Sequence, residues 1–325
     1  MVGPKRWLLL FFLPACAMAS EASVPYGERP EVRVWIDRLV EKHGLPAEHV
    51  HKLISDSKHQ SKVIANARRP AESKPWHWYR NIFLTDDRIR RGRIYLEEHA
   101  ALLAEAERTY QVPAEVITAI VAAESNFGRN TGTHPVLDTL VTLGFDYPPR
   151  REFFRGQLEQ LFLLEREAGL NIKDLRGSWA GALGQAQFIP SSYRVFAVDG
   201  DHDGRRDLWN SPADIIFSIA NYFQQHHWRQ GEPVAELIHP KNPDQLPLSK
   251  ALLPDIQSER LAASGVRLQH PTAEPVAVHR FENSSAPEYW VGHHNFYVIT
   301  RYNHSALYAL MIHQLSRALK NDSGL

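Results

Sequence analysis

Cysteine is all but missing: Cys16 is the one occurrence in 325 residues. A disulfide framework and a cysteine-based zinc site within one chain are thereby excluded. An excess of one charge is missing too, because 37 Lys and Arg balance 37 Asp and Glu. A surface that tracks nucleic-acid phosphates carries a basic excess, so nucleic acid is not the expected partner. The same balance argues against a highly charged disordered chain. No apolar run reaches the roughly 20 residues that a spanning helix needs. The chain has 17 His, yet it has no His-Glu-x-x-His zinc motif, no Gly-x-Ser-x-Gly nucleophile elbow and no Gly-rich phosphate loop. No organic cofactor is expected.

What is present is a globular composition: 43% hydrophobic residues and 10% aromatics, in a chain long enough for a sizeable core. Residues 1–19 read as an export signal, with basic Lys5 and Arg6, an apolar run from Trp7 to Leu13, and the small-x-small site Ala17-Met18-Ala19. A second reading stays open, because Leu13-Pro14-Ala15-Cys16 resembles a bacterial lipobox that would lipidate Cys16. Both place the protein outside the cytoplasm.

Periodicity predicts helices over 30–55, interrupted by Gly44 and Pro46, with Val34, Leu39 and Val40 on one face. Further helices are predicted over 93–110, 114–126, 151–168, 211–228 and about 305–319. Residues 66–90 read as irregular around Pro70, Pro75, Trp76, Trp78 and Tyr79. Residues 177–198 read as a loop with short helical turns. Seven prolines interrupt 232–275. Val276–Phe281 and Phe296–Thr300 read as strands. The expected class is α+β and mainly α, with an N-terminal helical domain over 20–110, a core over 111–231, a small β-containing domain over 232–298 and a C-terminal helix over 299–325.

Glu124 is the informative residue. In the helix 114–126 it follows Ile117 by seven positions, Ile120 by four and Val121 by three, so it lies on their apolar stripe. A carboxyl on such a face loses hydration and its pKa rises, which suits a general acid near neutral pH. A structural Glu at a helix end is the bland alternative. Asp199-Gly200-Asp201-His202-Asp203-Gly204 is a second motif. Alternating Asp with Gly at the sixth position opens an EF-hand loop, with Arg205 contributing its backbone carbonyl. The twelfth position is Asn210 rather than Glu, which weakens a standard calcium site; a metal-free polar turn is the alternative.

The segment Ala122-Ala123-Glu124-Ser125-Asn126-Phe127-Gly128-Arg129-Asn130-Thr131-Gly132 resembles the catalytic segment of the membrane-bound lytic murein transglycosylase B family. The resemblance continues through Leu137–Leu140, Phe145–Pro148, Arg151–Phe154, Gly177–Tyr193, Ile219–Phe223 and Ile299–Ser305. It implies a lysozyme-like core and a monomer acting on peptidoglycan strands in the periplasm of a Gram-negative bacterium, with an outer-membrane lipid anchor if Cys16 is lipidated. By the same resemblance Glu124 is the single acid/base, cleaving between N-acetylmuramic acid and N-acetylglucosamine with closure to a 1,6-anhydro end. Asp138 and Asp146 remain the carboxylates that could lie close in the fold. The resemblance places Ser178, Gln187, Tyr222, Tyr302, Asn303, Tyr308 and, more loosely, Tyr79 around the substrate; the alternative for each Tyr is core packing with a satisfied hydroxyl. It also adds Asp214 to the calcium ligands, a residue that Ser211-Pro212-Ala213-Asp214 equally explains as part of a helix cap. A hydrolytic muramidase and a non-catalytic, calcium-stabilised wall-binding protein are the competing functions.

Overall fold

The computed structural model describes residues 24–68 and 74–320. The export segment and Cys16 lie outside them. The chain divides into two compact units, Met1–Asp56 and Ser57–Leu325. In the first, helix α1 (Pro30–His43) and helix α2 (Ala47–Asp56) follow a short 3-10 turn. Pro30 opens α1, where its missing N–H costs nothing, and Gly44 closes it in the left-handed region at φ 62°. The buried stripe of α1 is Val32, Ile36 and Leu39, while Val34 is 48% exposed. This corrects the expected face: positions 32, 36 and 39 follow the helical repeat, and 34 does not.

The second unit begins with α3 (Ser61–Ala67), α4 (Trp76–Phe83), α5 (Asp86–Glu98) and α6 (Ala100–Tyr110). The segment expected to be irregular therefore holds one whole helix and the start of another. Pro75 precedes α4, and Thr85 caps α5 by accepting the Arg88 N–H at 3.3 Å. The single helix expected over 93–110 is broken at His99, whose φ of −113° is not helical.

At the centre lies α7 (Ala114–Ser125), whose residues Val116 to Ala122 are all buried. A helix buried on all sides needs neighbours on all sides. They are α5, α6, α11 (Pro212–Gln225) and α13 (Ala306–Lys320). After α7, β1 (His134–Pro135) leads into α8 (Val136–Asp146), and α9 (Arg151–Ala168) packs on α8. β1 pairs antiparallel with β2 (Arg176–Gly177), which draws the segment after α7 against the loop that follows β2. α10 (Pro190–Phe196) then precedes the Asp-rich loop and α11.

A three-stranded antiparallel sheet completes the unit, with β5 (Glu288–Gly292) between β3 (Ala235–Ile238) and β4 (Ala277–Phe281). It has its own core of Ile238, Leu246, Ile256, Leu261, Val266, Val276, Val278 and Val291. The strand expected at Phe296–Thr300 is instead part of α12 (His294–Tyr302). Its β-branched and aromatic residues suggest a strand, but Asn295, Phe296, Val298, Ile299 and Thr300 are buried at helical spacing.

Gly132 sits where β1 approaches β2. Its φ is +91°, and a Cβ there would lie 2.1 Å from the Gly177 backbone. Gly132→Ala is expected to lower unfolding free energy by ~2–5 kcal/mol, from left-handed strain plus overpacking. Urea denaturation measures this, and an unchanged midpoint would mean that the β1–β2 contact yields freely.

Candidate active site

Glu124 occupies the last turn of α7, with Ile117, Ile120 and Val121 of its own stripe fully buried. The residue is half-buried rather than sealed off. Its carboxyl is nevertheless desolvated enough to raise its pKa from the ordinary 4.5 to about 7. One hydrogen bond opposes that rise: the Tyr308 O–H donates to Glu124 Oε1 at 2.6 Å. A donor aimed at one oxygen leaves the other to carry the titrating proton.

The chain leaves α7 through an uncommon turn. Asn126, Phe127 and Gly128 have φ values of 54°, 60° and 76°, so three successive residues are left-handed. Asn tolerates that region, whereas Phe is strained there. Ser125 ties the turn together: its hydroxyl donates to Val121 O at 3.2 Å and accepts the Gly128 N–H at 3.0 Å.

Tyr308 belongs to a cluster of aromatic residues. Tyr302 lies 4.7 Å from Tyr222, 5.7 Å from Phe223 and 5.8 Å from Phe188, measured between ring centroids. The Tyr302 hydroxyl donates to Ala186 O and the Tyr222 hydroxyl to Arg301 O, each at 2.6 Å. Burial first, then the nearby Glu124 charge, pushes the Tyr302 and Tyr308 phenols well above their usual range. Tyr79 on α4 lies near enough to Tyr308 to influence its charge and is 6% exposed, its ring tilted against Phe83 at 4.9 Å. The Tyr302, Tyr222, Phe188 and Phe223 rings thus pack on one another, and the Tyr302, Tyr222 and Tyr308 hydroxyls each donate within the protein. Asn303 stands half-buried at the end of α12.

Ser178 and Gln187 lie on the loop after β2, both half-buried. The Ser178 hydroxyl oxygen accepts the N–H groups of Ala180 at 3.2 Å and Ala182 at 3.0 Å. Gln187 Nε2 donates to Gly184 O at 2.8 Å and to Thr131 O at 3.1 Å. The second bond joins this loop to the segment beyond Glu124. With both N–H groups committed, the Gln187 carbonyl oxygen faces no such demand.

The two aspartates raised by the sequence are engaged elsewhere. Asp146 pairs with His59 at 2.8 Å, and Asp138 accepts from Gln60 Nε2 at 3.2 Å and from the Lys58 backbone. In the Asp-rich loop, Asp199, Asp201 and Asp203 each bring an oxygen within 4.8 Å of the others. Backbone donors shape that convergence: Asp199 accepts from Asp203 N and Gly204 N, and Asp203 accepts from Arg205 N. Asp214 is 1% exposed and accepts Gly200 N at 2.7 Å and Asp207 N at 2.6 Å, one on each oxygen. It braces both flanks of the loop, and Ser211 caps α11 at its N–H, as its sequence position suggested.

One residue escaped the sequence reading. Arg91 on α5 donates from Nη1 to Asn126 Oδ1 at 2.5 Å, inside the turn that follows Glu124. Nothing local marks an Arg for that contact, since its partner lies 35 residues away in the chain.

Comparison with known proteins places this geometry. The family model described as the transglycosylase SLT domain matches residues 27–317. The membrane-bound lytic murein transglycosylase B of Escherichia coli is 35% identical over 306 residues, covering 90% of this chain and 84% of the relative. Lytic transglycosylase SltB1 from Pseudomonas aeruginosa superposes with a TM-score of 0.85 at 41% identity, covering 91% of this chain and 98% of that one. Escherichia coli Slt35, solved in complex with calcium, gives a TM-score of 0.83 at 36% identity, covering 90% and 93%. Pseudomonas aeruginosa SltB3, solved with NAG-anhNAM-pentapeptide, gives 0.72 at 29% identity, covering 89% and 79%. The chain belongs to the SLT-domain lytic transglycosylase family.

Proposed function

We propose that the protein is a lytic murein transglycosylase that cleaves between N-acetylmuramic acid and N-acetylglucosamine, with Glu124 as its single acid/base. The observation that carries this reading is the desolvated Glu124 carboxyl, raised to about 7 and held by Tyr308, with Asp138 and Asp146 both occupied elsewhere. A group with that pKa is substantially protonated at neutral pH and can return to the carboxylate within one turnover. In the first step Glu124 gives its proton to the glycosidic oxygen as the bond to C1 breaks. In the second, its carboxylate takes the proton of the muramic acid 6-hydroxyl as that oxygen bonds to C1. No water is consumed, and the acid is regenerated. Ordinary glycosidases use a second carboxylate; here the substrate's own hydroxyl, aided by its acetamido group, takes that place. The anhydro ligand carried by SltB3 agrees with this product.

Ser178, Gln187 and Asn303 are assigned to sugar hydroxyl and acetamido groups, as uncharged donors and acceptors that leave the titration of Glu124 undisturbed. Tyr308 orients Glu124, and Tyr302, Tyr222 and Tyr79 back it. Residues 111–231 form the catalytic core in this reading, between a helical segment over 20–110 and the β-containing segment over 232–298, with 299–325 closing on the core. A murein substrate is met in the periplasm, and in this reading the protein works there as a monomer, soluble or anchored through Cys16. No described helix is long and apolar enough to cross a membrane.

Calcium suits the Asp-rich loop. Its donors are oxygens only, and three of them already converge. Asp199, Asp201, Asp203 and the Arg205 carbonyl would hold the ion. Each Asp214 oxygen accepts one N–H, which leaves lone pairs for a ligand role beside its bracing role. The ion would pin the loop to α11 and take no part in the bond changes.

Glu124→Gln should reduce sacculus lysis by at least ~10²–10⁴-fold with the circular dichroism spectrum retained, and mass spectrometry of wild-type digests should find 1,6-anhydro ends. Hydrated reducing ends alone would replace this reading with a hydrolytic muramidase. The kcat/KM profile should fall as pH rises through about 7, where the free enzyme loses its acid proton. Tyr308→Phe removes a bond that favours the carboxylate, so the falling limb should move to higher pH; a move to lower pH would contradict the assigned role. Added Ca²⁺ should raise Tm, and Asp201→Ala or Asp203→Ala should abolish the increase; an intact protein indifferent to Ca²⁺ has no such site.

A further inference from the structure

Arg91 reaches the turn beyond Glu124 without touching Glu124 itself. Each of its three guanidinium nitrogens has a partner. Nη1 donates to Asn126 Oδ1 at 2.5 Å, Nη2 pairs with Asp87 Oδ2 at 2.7 Å, and Nε donates to Asp87 O at 3.3 Å. The side chain is 13% exposed and its guanidinium carbon lies 5.7 Å from the centre of the Phe127 ring. Tyr95, one turn further along α5, meets the same Phe127 ring at 5.5 Å. One face of α5 therefore holds two successive left-handed residues, Asn126 and Phe127.

We infer that Arg91 is a positioning residue for the transglycosylase reaction: through its bond to Asn126 it fixes the left-handed turn that ends α7, and so sets where the Glu124 carboxyl stands. A residue such as Phe127 at φ 60° persists only where its surroundings over-determine it. Ser125 secures the inner side of the turn by bonds to Val121 and Gly128, but nothing in those bonds holds the Asn126 side chain. Arg91 supplies that hold from a different helix, and Asp87 supplies the counter-charge that aims it. The fork geometry is needed, because two partners on different elements are bridged at once. A Lys would present one point charge in its place. Small displacements of an acid cost far more in the transition state than in substrate binding.

The inference rests on Glu124 being the acid, and its test separates the two ideas. Arg91→Lys keeps the charge and loses the fork. Asn126→Gly removes the amide partner while keeping a residue at ease in the left-handed region, so any loss is not backbone strain. Both variants are expected to lower kcat about 10–100-fold, with KM changed less than about threefold, on sacculi or a defined muropeptide. Asn126→Asp keeps an acceptor for Arg91 and should recover most of the rate. The double variant Arg91→Lys, Asn126→Gly should be no worse than the poorer single one, because both remove the same bond. Additive losses, an unchanged kcat in Asn126→Gly, or losses confined to KM would overturn the positioning role. If Glu124→Gln stays active, the acid assignment fails; if it is inactive while Asn126→Gly matches wild type, only this inference fails. A lower Tm with unchanged kcat per folded molecule marks Arg91 as structural only.

Discussion

At the centre of the second unit is a carboxyl taken out of water. Glu124 stands at the end of a helix that is apolar on every side, and that position raises its pKa to about 7. The penalty for burying a charge is what makes the group an acid at neutral pH. Tyr308 offsets part of that penalty by donating to one carboxyl oxygen, so the ionised form stays within reach at neutral pH, and the Tyr302, Tyr222, Phe188 and Phe223 rings pack on one another nearby.

The surrounding architecture holds this placement still. The segment after α7 is drawn against the loop after β2 by the β1–β2 pair, by the close approach at Gly132, and by the Gln187–Thr131 bond. The Asp-rich loop plays a comparable part between α10 and α11, with Asp214 fastening one backbone amide near each end of it. Its exposed aspartates converge although like charges repel. A divalent cation there would remove that repulsion and stiffen the start of α11, the helix that carries Tyr222.

Phe296–Thr300 has strand-like residues but helical burial, because short apolar runs do not distinguish the two periods. The strand that pairs in that region is Glu288–Gly292, where Tyr289, Trp290 and Val291 suit a strand but form a run of only three, bounded by Glu288 and Gly292. Residues around Trp76 look irregular because prolines and polar residues dominate, yet Pro75 and Thr85 are helix starters rather than breakers.

What the sequence alone determined was local or pattern-borne. The apolar stripe of α7 identified Glu124, the Gly44 stop and Pro30 start bounded α1, and the Asp alternation marked an acidic loop with converging carboxylates, because each depends on residues within one or two turns of one another. Tertiary structure alone decided which partners those residues meet. Tyr308 reaches Glu124 across 184 positions, and Arg91 reaches Asn126 across 35. No periodicity encodes such contacts. They arise when α5 and α13 pack on α7, and packing is set by the shape of whole faces rather than by any one residue.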